Sequence, residues 1–508
     1  MKLQWKCWAL TFAVGLATGA LIVSAQVSFA QELSPMGVDA EPMPVAKITP
    51  ELKAATGRVA ASVYTGPSMA TLAELTDGIG GRLTGSPAYV RATEWAIAKF
   101  RSYGIENVRL DPFTIDAGWE RVTANGAMLT PLERPLYLAS LGWTPSTAAG
   151  GVEGEVAVIA DVSVEALRLR TDELRGKIVL LDMDKIYAEG YARALPKLEA
   201  AWAEFARIGV LAVMQSDHAA KNVINAQSAL WGTKLAPLPG VELGMEDAKL
   251  IERELERGPV KVHLTIENKT SGPVTVNSVV AEIAGRERPQ EWILVGAHLD
   301  SWDFGTGAED DGTGVVSVLE TARAIMAAGR PPRRSVRFAL WGGEEEGILG
   351  SLAYTQTHKK ELAKCVAVLN TDNGPGHPKG WKVEGRADMK QAMQPWSDGL
   401  LKDLRGGDLS LDATYDTDHG PFMLQGIPVL DQWVDMTQYL DFHHKAGDTL
   451  DKVDPLDFKG DVAIVAVTAY ALADSEPPIA RHLDHEGVEE ILKNTKLEEM
   501  VERVGVWK

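Results

Sequence analysis

His298 and Asp310, Glu344 and Glu345, Asp372, and the pair His443-His444 are the residues of this chain whose types and settings can do chemistry. They sit on four loops of the C-terminal half. Three of those loops follow short apolar runs that read as strands: Trp292 to Ala297 before His298, VRFALW at 336–341 before the two glutamates, and VAVLN at 366–370 before Asp372. Ligands of open α/β sheets collect at the carboxyl ends of strands. Singly, each residue is an ordinary loop acid or imidazole; the joint arrangement is what points to a site. Carboxylates and imidazoles without a thiolate suit zinc, cobalt or manganese. Five such ligands are too many for one catalytic zinc that keeps an open position, but enough for two metals if one carboxylate bridges them. A pair about 3.5–4 Å apart can hold a shared hydroxide and polarise a carbonyl, which is what hydrolysis of an unreactive amide requires. The other glutamate of such a site takes the proton of the attacking water and returns it to the leaving amine.

The elements that must position these loops follow from periodicity. Strands at 292–297, 336–341, 366–370 and 427–430 alternate with helices at about 313–328, 350–357, 387–403 and 458–473. That rhythm predicts an α/β fold, a mostly parallel (mixed) sheet with helices on both faces. The helix after Asp310 begins near Asp311 or Thr313, with Val315, Leu319, Ala322 and Met326 on one buried face. Upstream, helical patterns cover 51–64, 68–76 and 91–103, and a strand covers 108–114. From about Gly118 to Asn268 the pattern changes to short β segments broken by Gly and Pro, with helices at 198–208 and 247–257, which predicts a separate β-rich domain. A charged helical tail runs from 486 to 504.

Composition limits the partners. The formal net charge of −19 over 508 residues argues against nucleic acid, whose binding needs clustered Lys and Arg. Lys2 and Lys6, the apolar run Trp8 to Val23 and the small residues of Ser28-Phe29-Ala30 predict a signal peptide over 1–30, cleaved before Gln31, with an uncleaved anchor as the alternative because the run approaches spanning length, and a polar tether over 31–44. No later stretch is apolar enough to span a bilayer. Cleavage removes Cys7 and leaves Cys365 alone, so no internal disulfide forms, and the chain is expected to be exported, periplasmic or extracellular.

The segments HLDSWDFGTGAEDDGTG, WGGEEEGILGS, LNTD and FHHKAGDT, taken together, resemble the di-zinc exopeptidase family of the bacterial aminopeptidases and carboxypeptidase Q. The likeness runs over nearly the whole mature chain and implies a phosphorylase/hydrolase-like catalytic fold. It implies a catalytic domain of 45–125 and 271–485, a protease-associated domain inserted at 126–270, and a helical tail at 486–508. It also implies two zinc ions per chain. His298 and Asp372 would hold one, Glu345 and His444 the other, with Asp310 bridging and Glu344 as general acid and base. Asp300 would accept the free ring N–H of His298. Gly347 matches the family glycine, which sets the register of the three glutamates and leaves Glu346 solvated. His444 lies four before Asp448, as the family ligand does; His443 occupies the place of a tyrosine in some relatives and would stabilise the oxyanion.

Other candidates receive lesser roles. Asp303, Glu309 and Asp311 fall outside the ligand set. Asp418-His419 caps a helix or contacts substrate, His377 is exposed to solvent or else lines the cleft, His358, His482 and His485 lie on the surface, and His218 and His263 are structural. The function implied is hydrolysis of short peptides, by an aminopeptidase or dipeptidase first and a carboxypeptidase second, with a homodimer possible. Glutaminyl cyclases with a single zinc, and receptor ectodomains that have lost ligands, share the fold; the intact ligand set disfavours both.

Overall fold

A computed structural model describes residues 45–216 and 219–507. The expected signal peptide and tether, and His218, lie outside the described residues. One eight-stranded sheet runs in the order Val108–Ile115, Val274–Ile283, Arg334–Trp341, Arg288–His298, Cys365–Asn370, Val429–Val434, Pro378–Lys382, Asp408–Ser410. Its four central strands are parallel and its flanks contain antiparallel pairs, so the architecture is mixed α/β. The strand ending at His298 lies between the strand that leads to Glu344 and the strand that leads to Asp372. Neighbouring strands are about 4.8 Å apart, so this order alone brings three of the site loops together at one edge.

The helix Thr313–Ala327 starts where the sequence indicates, but it is not one-sided. Val315, Leu319 and Ala322 are buried, and so are Val316, Val318 and Thr321, whereas Met326 is exposed. The helices Pro50–Tyr64 and Pro455–Asp474 pack on it as the sheet does, covering faces that periodicity would leave to solvent. The helix expected over 387–403 is regular only over Ala387–Trp396 and then loosens into wider and tighter turns through Leu404. Strand Val274–Ile283 was not anticipated, because the sheet was read as starting at 292.

A second eight-stranded sheet is built from strands between Trp119 and Thr270. Its first strand, Trp119–Thr130, runs through the boundary drawn between residues 125 and 126. The two sheets meet at a narrow waist. Ile115 pairs with Val274 at the end of one antiparallel ladder and Trp119 with Thr270 at the start of the next. Between them the Gly118 carbonyl accepts from the Ser271 amide at 2.9 Å. No helix among the described residues is long and apolar enough to cross a membrane.

Asp461 in the helix Pro455–Asp474 is 2% exposed. Burial, and then the Asp457 carboxylate, hold its pKa well above the usual range; Gln432 and the Arg405 charge oppose this without reversing it. Tyr64 also faces it. Because the folded pKa is the higher one, the native state keeps the proton longer than the unfolded chain does. Stability therefore falls as pH rises through and above the ordinary carboxylate range. Asp461→Asn is expected to be more stable to urea than wild type at pH 8, by on the order of 1–3 kcal/mol in unfolding free energy, and about equally stable at pH 4. A parallel pH dependence in the two proteins would acquit Asp461.

Candidate metal centre

The loop from Leu299 to Gly312 is held from three sides. Arg82, fully buried, donates from Nε to the Leu299 carbonyl at 2.8 Å, from Nη1 to Thr306 at 2.9 Å and from Nη2 to Gly307 at 3.0 Å. The Asp448 carboxylate accepts from the amides of Ala308 at 2.9 Å, Glu309 at 2.6 Å and Asp310 at 3.3 Å. Asp311 accepts from the His298 amide at 3.1 Å and the Gly314 amide at 3.0 Å, tying the strand end to the helix start. A β-carbon on Gly314 would come within 2.2 Å of that carboxylate, so the close approach requires glycine. Arg82 and Asp448 act on backbone groups, and the sequence had marked them only as part of a turn and as a spacing reference.

Asp310 is the hinge of the site. Its Oδ1 lies 3.2 Å from His298 Nε2, while its Oδ2 lies 3.3 Å from His444 Nε2 and 3.4 Å from His443 Nε2. His298 Nε2 is also 3.2 Å from Asp372 Oδ1, and His444 Nε2 is 2.9 Å from Glu345 Oε2. One carboxylate thus faces two clusters, one with each oxygen. Ligand atoms about 2.0–2.1 Å from a tetrahedral zinc lie about 3.3 Å from one another, so these separations fit a coordination shell. The ion pairs of Asp310, Glu345 and Asp372 among the described residues are all with imidazoles, and Asp310 Oδ2 has no hydrogen-bond partner. Buried carboxylates so placed need a cation to offset their desolvation.

The titration of these groups reflects the crowding. Burial pushes Glu345 well above the usual carboxylate range, helped by Asp310. Burial raises Asp372 too, against the pull of His298. At Asp310 burial also acts upward, but the imidazoles of His443, His298 and His444 outweigh it and the net shift is downward. His298 is driven well above its ordinary value, since Asp372 and Asp310 overcome burial. His443 falls to about 3, through burial and then the neighbouring His444, and burial lowers His444 as well.

Glu344 stands on a tight turn whose carbonyl accepts from the Gly347 amide at 2.8 Å and the Ile348 amide at 2.9 Å. Gly347 has φ +124°, a conformation that favours glycine. Burial and the Asp372 and Asp418 charges push the Glu344 carboxyl well above its usual range, while His298 opposes them. His443 and His444 stack with ring centroids 3.7 Å apart, and both turn Nε2 toward Asp310. Only His444 also meets Glu345 within ion-pair distance.

Several expectations need correction. The His298 Nδ1 lies 3.1 Å from the Asp300 backbone carbonyl, and 3.8 Å from its carboxylate. That carboxylate instead accepts from Thr84 Oγ1 at 2.9 Å and the Glu345 amide at 3.2 Å, so it holds the glutamate loop. Glu346 is not solvated: it is 2% exposed, with its pKa held well above normal by burial and then Asp300. Glu309 is buried; Asp311, also buried, offers a carboxylate oxygen within 4.8 Å of ligand atoms of His298 and Asp372, so the structure groups it with that pair although the sequence leaves it out of the ligand set; Asp303 pairs with Arg121 of the second sheet at 3.0 Å.

The helix Gly420–Met423 receives no side-chain cap. Asp418 accepts instead from Ser351 Oγ, and the buried His419 turns Nε2 to the Thr414 carbonyl at 2.9 Å. His377 is exposed and ion-pairs with Asp457. His358 is half-buried, at 2.7 Å from Asp111, rather than on the surface. His482 meets the Cys365 carbonyl, His485 stacks on Trp507, and His263 reaches the Gly150 carbonyl at 2.9 Å.

Comparison with known proteins places this geometry. Residues 278–467 match the model of peptidase family M28. Carboxypeptidase Q of Rattus norvegicus is 32% identical over 425 residues, 82% of this chain and 88% of the relative. The chain belongs to peptidase family M28. Carboxypeptidase Q of Bos taurus is likewise 32% identical, over 81% of this chain and 86% of the relative. Among solved structures, a peptidase M28 precursor from Shewanella amazonensis SB2B superposes with a TM-score of 0.73 at 27% identity, covering 85% of this chain and 99% of that one. BSAP, a zinc aminopeptidase from Bacillus subtilis, shares the fold with a TM-score of 0.61 at 21% identity, over 81% and 98%. The chain is therefore an M28 metallopeptidase, a hydrolase.

Proposed function

We propose that this M28 metallopeptidase is an exported exopeptidase that holds two zinc ions per chain and hydrolyses short peptides at a free N-terminus. The observation that carries the reading is Asp310, which offers one oxygen to each of two imidazole and carboxylate clusters. His298 and Asp372 would hold one ion, Glu345 and His444 the other. Zinc held there polarises a carbonyl and lowers the pKa of water. Glu344 takes the proton of the attacking water and hands it to the leaving amine. His443, neutral because its pKa is about 3, donates a ring N–H to the oxygen that gains charge. The second sheet, in this reading, is a protease-associated domain that narrows access to short peptides.

A second reading has one observation in its favour: the relatives named carboxypeptidase Q are 32% identical over four-fifths of the chain. A panel of free, N-acetylated and C-amidated dipeptides separates the two, with zinc loaded. Cleavage is expected to disappear on acetylation and persist on amidation; the reverse pattern would assign a carboxypeptidase.

A further inference from the structure

The connection between the strands Ala212–Gln215 and Gly240–Leu243 of the second sheet reaches across to the metal-site loops. The Ala226 amide donates to the His444 carbonyl at 2.7 Å. The Gly142 amide donates to the Gln227 carbonyl at 2.9 Å, and the Ala229 amide to the Gly142 carbonyl at 3.0 Å. Thr233 Oγ1 accepts from the Asp116 amide at 3.0 Å. Residues 226–233 are thus fixed at both ends, to the loop bearing His443 and His444 and to the waist between the sheets.

Between those anchors stands Trp231. Its indole lies against the glutamate turn: a β-carbon on Gly347 would come within 2.9 Å of its Nε1 and 3.0 Å of its Cε2. The same turn is closed by the Gly347 amide on the Glu344 carbonyl, which keeps its ends less than about 7 Å apart. Yet Trp231 remains 42% exposed, while Trp119, Trp143, Trp292, Trp341, Trp381 and Trp396 are fully buried. A large apolar surface is therefore held in place beside the proton shuttle and left open to solvent.

We infer that Trp231 is a specificity-determining residue: its indole walls the subsite for one side chain flanking the scissile amide and selects large aliphatic or aromatic residues there. The inference rests on the exopeptidase reading above and names its substrate class. The sequence could not suggest it, since Trp231 is far along the chain from every ligand and lies on a connection between strands of the other sheet.

The test compares Leu-Ala, Ala-Leu and Ala-Ala on zinc-loaded wild type, Trp231→Ala and Trp231→Phe. Wild type should prefer one leucine-containing dipeptide over Ala-Ala in kcat/KM. Trp231→Ala should reduce that preference by about tenfold or more, the range that apolar pocket contacts supply, while Trp231→Phe retains most of it. A uniform loss on all three peptides would make Trp231 a mere prop for the Glu344 turn and overturn the inference, as would an unchanged preference or none in wild type. Binding of the same peptides to zinc-loaded Glu344→Gln protein, with and without Trp231→Ala, is read by calorimetry. If wild type hydrolyses nothing, the exopeptidase reading fails, and the calorimetric selectivity still decides the role of Trp231.

Discussion

Glu344→Gln is expected to bind zinc at the wild-type stoichiometry and to cleave peptides about 10²–10⁴-fold more slowly, the loss typical of a removed general base. The substitution keeps the size of the side chain and the turn closed by the Gly347 and Ile348 amides, which uses only the backbone of residue 344. The amide cannot take a proton from water, so the fall should lie in kcat rather than in KM. Metal analysis and steady-state kinetics on one preparation check both halves. Glu345→Gln is the informative contrast, because Glu345 meets His444 at 2.9 Å and its loss should lower zinc content first. Undiminished hydrolysis by Glu344→Gln would remove Glu344 from the mechanism.

Asp310→Ala should strike harder. It deletes a carboxylate that faces both clusters, and three imidazoles lose their shared partner at once. At most one zinc per chain should remain, and hydrolysis should fall by on the order of 10³-fold or more, several kcal/mol of lost charge stabilisation. The fold should survive, since the loop is still held by Arg82 and by Asp448, whose bonds go to backbone groups. Circular dichroism and bound zinc, measured together, separate a metal defect from unfolding. Retention of two zinc ions by the variant would show that Asp310 does not bridge.

How much of this could be read from the chain depends on what each residue acts upon. His298, Asp310, Glu345 and Asp372 stand out because reactive residue types follow strand-like runs, and the sheet order then places their loops side by side, whereas His444 follows the short helix Tyr439–Phe442 and is marked only by the likeness of its loop to the family. Asp448, Arg82 and Thr84 escape because they bind amides, carbonyls and one carboxylate, partners that every segment offers and that leave no pattern of spacing. Glu346 differs for another reason: the family register gives roles to the first two glutamates and leaves the third to solvent, and nothing in the spacing signals that it is buried. The helix Thr313–Ala327 was legible in its bounds but not in its surroundings, because periodicity describes one neighbour and this helix has several. Strand Val274–Ile283 follows a Gly-Pro turn and pairs with Val108–Ile115 across the whole second sheet, a contact that no local window contains.

That last pairing bears on the order in which the molecule assembles. Closing the contact of Ile115 with Val274 through a disordered connection would mean tying off a very long loop before any reward is gained, and such remote pairings are the slow ones. The waist removes the difficulty. Trp119 and Thr270 are partners in the second sheet, so once that sheet has formed its two ends already lie side by side. The next rungs, from Ile115 and Val274 outward, then grow as a hairpin would. The inserted unit thus serves the nascent chain as a clasp, bringing Val108–Ile115 back to the sheet whose later strands carry the acids and imidazoles.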